Sequence, residues 1–361
     1  MGYLSTITYA MILFPILALF ITLPYMVINY RKYGSVNKLR TLILYSFILY
    51  LLTIYLLVIL PLPDRDSVRH SYTDMINLMP FSFVMDFIKE NPLVLSKPAT
   101  WLMALKHSTF YVPAFNVLML IPFGVYLRYY FKCSFKKTAL LTALLSLFFE
   151  LTQLSGLYFI YPGSYRLCDI DDIIQNTTGG CIGYALGWFA VKLLPSRDAI
   201  DEKSLEAGVR VSGIRICLSL IIDTFIISIP YSISQTTLPF PVFIAVYFAI
   251  IPLFNGKTLG SALLRFGLDF EKNKWIGTIF RGLLLTAYFY LIPIGLQNMM
   301  YEFNKYADSL LYICLFLITF MILILFLIYT IAVVLLNKRL LFDRISGAKY
   351  KSCLLYTSPS P

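Results

Sequence analysis

The stretch SLLYICLFLITFMILILFLIYTIAVVLL at residues 309–336 contains no charged side chain, and it decides the fold class. A helix crosses the apolar core of a bilayer, about 30 Å thick, with about 20 residues. The rest of the chain has the same character, because 59% of its 361 residues are hydrophobic, 14% are charged and the mean hydropathy is +0.76. We therefore predict an all-α polytopic integral membrane protein with about nine transmembrane helices. The other eight predicted spans are residues 7–30, 41–60, 108–130, 138–160, 173–194, 211–230, 237–254 and 276–297.

The loops between the predicted spans indicate the orientation. Loops one and three are basic and contain no acidic residue, whereas the segments between them are balanced or acidic. Since Lys and Arg collect in cytoplasmic loops, we predict an outside N-terminus and a cytoplasmic C-terminus in a bacterial cytoplasmic membrane. The same loops account for the net charge of +11, so no nucleic-acid partner is expected. The deciding residues are Arg31, Lys32, Lys38, Arg40, Arg128, Lys132, Lys136 and Lys137.

A polar stretch, Pro195 to Arg210, separates two hydrophobic blocks and predicts a domain boundary. We predict a five-helix membrane domain at residues 1–195, a cytoplasmic linker at 196–210 and a four-helix membrane domain at 211–350. Residues 351–361 are predicted to be an unstructured tail, and from Ser352 the sequence looks like translated cloning sequence. Charge does not separate the two blocks, since both are basic.

Cysteine and histidine are too dispersed to predict a metal centre. The six cysteines form no CxxC pair, and the two histidines are His70 and His107. A zinc site or a disulfide framework needs a closer arrangement of these residue types. We therefore expect neither a metal nor another cofactor.

Polar side chains inside predicted spans are the first candidates for function. Placing an ionisable group near the centre of a bilayer costs about 2.5 to 3.5 kcal/mol, so such groups require a reason. Glu150 lies in the fourth span, with Gln153 on the same helical face, and Asn116 lies at a similar depth in the third span. An interhelical hydrogen bond that only stabilises the bundle is the alternative explanation. We favour a site, in which Glu150 is also the candidate catalytic residue.

A second polar cluster comprises Arg166, Asp169, Asp171 and Asp172 in the predicted outer loop and Asn176 just inside the fifth span. Aspartates at the start of a helix cap its free N–H groups, which would explain part of the cluster without any function. Capping needs one or two aspartates, not three with an arginine. We therefore predict that this cluster binds a substrate.

Glycines follow directly, with Gly179, Gly183 and Gly187 on one helical face. This spacing allows another helix to approach closely. Such docking would bring the fifth span near Glu150, so we predict one outward-facing cavity with Arg166 and Asp169 at its mouth. Its other expected lining residues are Asn116, Glu150, Gln153, Asp172 and Asn176.

Four strings in this half resemble conserved blocks of VanZ-like proteins. They are NLMPF at 77–81, NVLMLIPFGVYL at 116–127, ELTQ at 150–153 and RLCDIDDIIQNTTGG at 166–180. The resemblance covers about residues 65–195. It implies a role in low-level resistance to the glycopeptide teicoplanin, and it supplies no molecular mechanism.

The second half resembles the RDD family over about residues 208–350. Arg215 lies near the start of the sixth span, Asp223 lies deeper in it, and Asp343 follows the ninth span, with the string GKTLG at 256–260 between them. A snorkelling charge at Arg215 and a solvated helix end at Asp343 are the alternatives. We expect Arg215 and Asp343 to support one another across the bundle.

Three functions remain open. The first is a non-enzymatic envelope protein whose outward site engages a membrane lipid or lipid-linked cell-wall component and affects teicoplanin susceptibility. The second is a membrane-embedded enzyme with a carboxylate as general base, although no nucleophile motif, metal set or phosphate loop names a reaction. The third is an RDD-type cation or proton transporter, although no internal repeat is visible. We favour the first, and the oligomeric state is left open.

Overall fold

A computed structural model describes residues 3–68, 71–234, 236–270, 273–306 and 309–354. It confirms the all-α membrane fold, because seven of its helices are long and apolar enough to cross a bilayer. The other two predicted spans, 173–194 and 237–254, are also helical. The first of these helices, Ile170–Leu193, begins with polar residues, and the second, Phe240–Asn255, has only 16 residues. His70 and residues 355–361 of the predicted tail lie outside the described residues.

The chain divides into two compact units, residues 1–21 with 38–200 and residues 22–37 with 201–361. The division falls inside the predicted linker, which is itself a helix, Arg197–Gly208. Unlike the predicted domains, the second unit includes residues 22–37 from the beginning of the chain. One reason is a hydrogen bond of 3.0 Å from the hydroxyl of Tyr33 to the carboxylate of Asp201. Tertiary contacts of this kind leave no signature in the local sequence.

The first unit is built from long helices joined by a segment of short elements. The helix of the fourth predicted span, 138–160, ends at Leu154, because Gly156 turns the chain at a φ of 62°. Two short parallel strands pair Ile76 with Cys168 and Asn77 with Asp169. They connect the segment that follows helix Lys38–Ile59 to the start of helix Ile170–Leu193. The elements are α1 (Tyr3–Tyr33), α2 (Lys38–Ile59), β1 (Ile76–Asn77), α3 (Ser82–Glu90), α4 (Trp101–Lys106), α5 (Ser108–Tyr129), α6 (Phe135–Leu154), the turn α7 (Gly156–Phe159), β2 (Cys168–Asp169) and α8 (Ile170–Leu193).

The second unit packs apolar helices around a core rich in aromatic residues, and it contains one antiparallel pair of short strands that are distant in the sequence. One strand, Ala348–Ser352, includes the first two residues of the predicted tail, so the prediction that the tail is unstructured from 351 is wrong for them. Its partner strand shields their backbone groups through antiparallel hydrogen bonds. The elements are α9 (Arg197–Gly208), α10 (Gly213–Ser234), α11 (Phe240–Asn255), α12 (Leu259–Leu263), β3 (Phe266–Phe270), α13 (Lys274–Thr286), a π-helical turn (Ala287–Leu291), α14 (Ile292–Asn304), α15 (Leu310–Leu335), α16 (Leu341–Ser346) and β4 (Ala348–Ser352).

Candidate functional site

Glycines dock α8 tightly against α5. Gly179 and Gly183 lie against the backbone carbonyls of Val117 and Ile121, so closely that a Cβ atom on either glycine would overlap the carbonyl oxygen. A Cβ atom on Gly180, on the adjoining face, would overlap the side chain of Thr142 of α6. The absence of side chains on this face is what lets three helices meet. The polar first turns of α8 are thereby held beside α5 and α6.

A cavity of about 400 Å³ lies in the first unit where these helices meet. Its lining comes from the first turn of α1, the end of α2, the first half of α5, the end of α6 and the start of α8. Six of the eight predicted substrate-binding residues are in this lining: Asn116, Glu150, Gln153, Arg166, Asp172 and Asn176. The lining also includes Thr6, Val58, Leu60 and Pro61, which were not predicted. The groups of Val58 and Leu60 that form hydrogen bonds there are backbone carbonyls, which have no signal in the sequence.

The end of α2 supplies two carbonyl groups that have no donor within their own helix. Gln153 donates from Nε2 to the carbonyl of Val58 at 2.9 Å. Arg166 donates from Nη1 to the same oxygen at 2.9 Å and from Nη2 to the carbonyl of Leu60 at 3.0 Å. The guanidinium and the Gln153 amide thus satisfy the helix end and fix one wall of the cavity.

Two asparagines cross-link the helices on the opposite wall. Asn116 donates from Nδ2 to Asp172 Oδ1 at 2.7 Å and to Gln175 Oε1 at 2.9 Å. Asn176 donates from Nδ2 to the hydroxyl of Ser146 at 2.9 Å. Its Oδ1 has no hydrogen-bond partner among the described residues, although the side chain is only 3% exposed. A buried amide oxygen left unpaired costs about 1 to 3 kcal/mol and therefore calls for an explanation.

Glu150 is buried at the end of α6 and lines the cavity. Its Oε2 accepts a hydrogen bond of 3.0 Å from the backbone N–H of Asp169. The other carboxylate oxygen receives none from the part of the chain that the structure describes. In that part, no group of three or more His, Cys, Asp or Glu side chains could hold a metal ion.

Asp169 and Asp171 lie beside the cavity but do not line it. Asp169 caps α8 by accepting a hydrogen bond of 2.9 Å from the backbone N–H of Asp171. Asp171 is buried and holds the start of α3: it accepts from the backbone N–H of Phe81 at 2.6 Å, the hydroxyl of Ser82 at 2.8 Å and the backbone N–H of Phe83 at 3.0 Å. Asp169 therefore caps its own helix, as the capping explanation states, whereas Asp171 holds the start of a different helix.

Cys168 is a titratable residue beside the cavity, and it lies outside the spans. Burial raises its pKa above the ordinary value, and the carboxylates of Glu150, Asp169 and Asp172 raise it further. Thiolate is therefore scarce at neutral pH.

With the geometry described, the chain can be compared with known proteins. Residues 47–194 match the model of the VanZ/LLP1 family. This VanZ-like segment covers less than half of the chain, and it includes every predicted site residue of the first unit. The match does not reach the second unit, and nothing in the comparisons supports the RDD-like resemblance there. No curated protein and no solved structure matches the chain.

In the second unit, Asp223 is completely buried and its carboxylate is fully hydrogen-bonded within the chain. Oδ1 accepts from the hydroxyl of Tyr247 at 2.7 Å and from the backbone N–H of Gly260 at 2.6 Å. Oδ2 accepts from the hydroxyls of Thr258 at 2.6 Å and Ser219 at 3.3 Å. The GKTLG string that resembled RDD proteins thus folds around this carboxylate.

Arg215 is also completely buried, and backbone carbonyls surround its guanidinium. Nε and Nη2 donate to the carbonyl of Leu264 at 3.0 and 2.7 Å, and Nη2 also donates to Arg265 at 2.8 Å. Nη1 donates to the carbonyls of Gly208 at 3.1 Å and Gly34 at 3.2 Å. Arg215 thus binds backbone carbonyls of three separate segments of the chain. It is not a snorkelling charge.

The expected pairing of Arg215 with Asp343 is wrong. Asp343 pairs instead with Arg281 of α13, at 2.7 Å between Oδ1 and Nε. The hydroxyl of Tyr350 donates to Asp343 Oδ2 at 2.7 Å and accepts from Arg281 Nη2 at 2.7 Å, which closes a buried triad. Arg281 could have been found as an ionisable residue within a predicted span, but its partner, 62 residues away, could not.

Proposed function

We propose that this chain is a multi-pass envelope protein of the VanZ-like type, in a bacterial cytoplasmic membrane, whose cavity engages a membrane lipid or lipid-linked cell-wall component. By this engagement the protein affects susceptibility to teicoplanin. The observation that supports the proposal is the cavity of about 400 Å³, which is lined by two carboxylates, a guanidinium and three amides from three helices and the loop between α7 and β2. Its volume lies within the range of small-molecule sites, about 300 to 1,000 Å³.

The loop charges support an outward-facing cavity. All five contributing helices present to it the end that the positive-inside rule assigns to the outer face. A glycopeptide and its cell-wall targets are on that side of the membrane. An outward cavity therefore has direct access to the component that the VanZ-like resemblance implies.

The test compares teicoplanin susceptibility in cells that express the protein intact or as Glu150→Gln. The substitution keeps the size and hydrogen-bonding capacity of the side chain and removes its charge. We expect normal amounts of the variant in the membrane and loss of the resistance phenotype. Glu90→Gln, the same change at an exposed site in α3, is the matched control and keeps the phenotype. Equal phenotypes for Glu150→Gln and the intact protein would contradict the proposal.

A membrane-embedded enzyme acting on an envelope lipid is the second candidate. It is favoured by the one Glu150 oxygen that faces the cavity without a hydrogen bond from the described residues, as a general base would. Incubation of the purified protein with envelope lipids, followed by mass spectrometry, tests it. A new lipid product that Glu150→Gln does not form would establish the enzyme, and unchanged lipids would exclude it.

The same argument does not favour an RDD-type transporter. A proton or cation relay requires carboxylates with free acceptor positions along a path. Asp223 and Asp343 are instead enclosed by donors from their own chain. We therefore infer a structural role for Arg215, Asp223 and Asp343.

A further inference from the structure

The three amides of the cavity are oriented alike. The NH₂ groups of Gln153, Asn116 and Asn176 are each taken by an acceptor of the chain: Val58, Asp172 and Ser146 respectively. The first two orientations are fixed by their partners, because a backbone carbonyl and a carboxylate only accept.

The third orientation follows from its neighbour. The hydroxyl of Ser146 donates to the backbone carbonyl of Asp172 at 3.4 Å, so it accepts from Asn176. The amide oxygens of Gln153 and Asn116, two residues of the cavity lining, accept no hydrogen bond from the described residues, whereas Oδ1 of Asn176 is enclosed by the chain.

The charged groups add to this excess of acceptors. Glu150 and Asp172 contribute two carboxylates to the lining, and Arg166 contributes the one basic side chain among the described lining residues. Two N–H groups of Arg166 are taken by the end of α2. Two carboxyl groups and the amides of Asn116 and Gln153 therefore outnumber the one basic side chain in the lining.

We propose that this cavity binds the primary ammonium group of an amphiphile. An –NH₃⁺ group carries three donors and no acceptor, so it complements a set of amide and carboxylate oxygens. Among the described residues no group of three or more His, Cys, Asp or Glu side chains could hold a metal ion. Carboxylate and amide oxygens can also bind hard metal cations, so sodium and magnesium are competitors in the test below. The proposal rests on the proposed function and names the chemistry of the component that is engaged.

Apolar residues beside the polar wall indicate where the rest of the ligand lies. Val112 and Phe115 of α5 line the cavity and are 44% and 36% exposed. An ammonium-bearing lipid would place its headgroup among the oxygens and its chains along this face of α5.

Native mass spectrometry of the full-length protein in detergent tests the proposal. Phosphatidylethanolamine, which has a primary ammonium, competes with phosphatidylcholine, whose trimethylammonium has the same charge and no N–H. We expect at least tenfold preference for phosphatidylethanolamine, lost in Glu150→Gln and kept in Glu90→Gln. Equal binding of the two lipids by the unaltered protein overturns the proposal, and this comparison does not depend on the folding of a variant.

Two further arms identify the source of the ammonium and separate the two proposals. Displacement of the lipid by free ethanolamine at millimolar concentration would support the ammonium site but assign it to a soluble amine, and resistance to displacement assigns it to a lipid. Displacement by sodium or magnesium chloride, and not by choline chloride at equal ionic strength, would make the site a metal-cation site and overturn the proposal.

Selective ammonium binding without any effect of Glu150→Gln on teicoplanin susceptibility would refute the proposed function alone. The phenotype without ammonium selectivity would refute this inference alone.

Discussion

Both units bury ionisable side chains, but they treat them differently. In the second unit each buried charge meets partners from its own chain, as when Asp223 accepts four hydrogen bonds. The first unit contains both kinds: Asp171 accepts three, whereas Glu150 accepts one and the amide oxygen of Asn176 accepts none among the described residues. Burial of a charge is therefore no sign of function by itself. Acceptors left open on a cavity are the better sign.

The largest expected effect is on the triad of the second unit. Asp343→Ala leaves the guanidinium of Arg281 buried without its carboxylate, which generally costs about 3 to 5 kcal/mol. We expect a severe loss of folded protein, measured as the monodisperse fraction after solubilisation. Arg281→Met combined with Asp343→Leu should recover much of it, because apolar replacement removes both charges.

A charge exchange distinguishes the observed pairing from the expected one. Arg281→Asp with Asp343→Arg keeps opposite charges in contact and should give more folded protein than Asp343→Arg alone. Adding Arg215→Asp to Asp343→Arg should give no such recovery, since Arg215 binds carbonyls elsewhere. Recovery by the Arg215 exchange would contradict the triad.

The next effect concerns the helix contact that forms the cavity. Gly183→Ala places a methyl group against the carbonyl of Ile121, and overpacking of this kind costs about 1 to 3 kcal/mol. We expect a lower thermal midpoint and weaker teicoplanin resistance, since α8 must move away from α5. Gly295→Ala is the matched control, because a Cβ there meets nothing within 4 Å. Equal midpoints for the two variants would refute the tight contact.

Much of this arrangement could be predicted from local sequence. Long apolar runs gave the spans, and the glycine spacing gave the close approach that brings Asp172 and Asn176 toward Glu150 and Asn116. The partners of buried charges could not be predicted in this way. Arg281 and Asp343 meet through tertiary packing across 62 residues, and a single sequence does not indicate which of several charges will pair.

The acidic cluster shows a second limit. Three aspartates close together in the sequence have three different roles, because the backbone turns between them. Asp172 faces the cavity, Asp169 caps α8, and Asp171 holds the start of α3. Each carboxylate bonds a different distant segment: Asp169 bonds Asn77, Asp171 bonds residues 81–83, and Asp172 bonds Asn116.

The smallest effect is on the reactivity of Cys168, and it also tests the orientation. In intact cells that carry single-cysteine variants, an impermeant thiol reagent should label Cys168 and not Cys353, which is exposed and predicted to be cytoplasmic. Labelling of Cys168 should be slow at neutral pH and rise with pH, because burial raises its pKa and only the thiolate reacts. Glu150→Gln removes a carboxylate that also raises this pKa, so it should speed the labelling modestly. Labelling of Cys353 alone would invert the topology.

The contrast between the two units is tested most directly by giving one acid in each the same conservative change. Glu150→Gln and Asp223→Asn both exchange a buried carboxylate for its amide, and membrane-inserted folded protein and teicoplanin susceptibility are measured for each. We expect Glu150→Gln to fold normally and lose resistance, because its open oxygen faces the cavity. Asp223→Asn should lose folded protein, because an amide NH₂ replaces an acceptor oxygen among four donors. Normal folding and lost resistance in Asp223→Asn, with unchanged resistance in Glu150→Gln, would contradict the account.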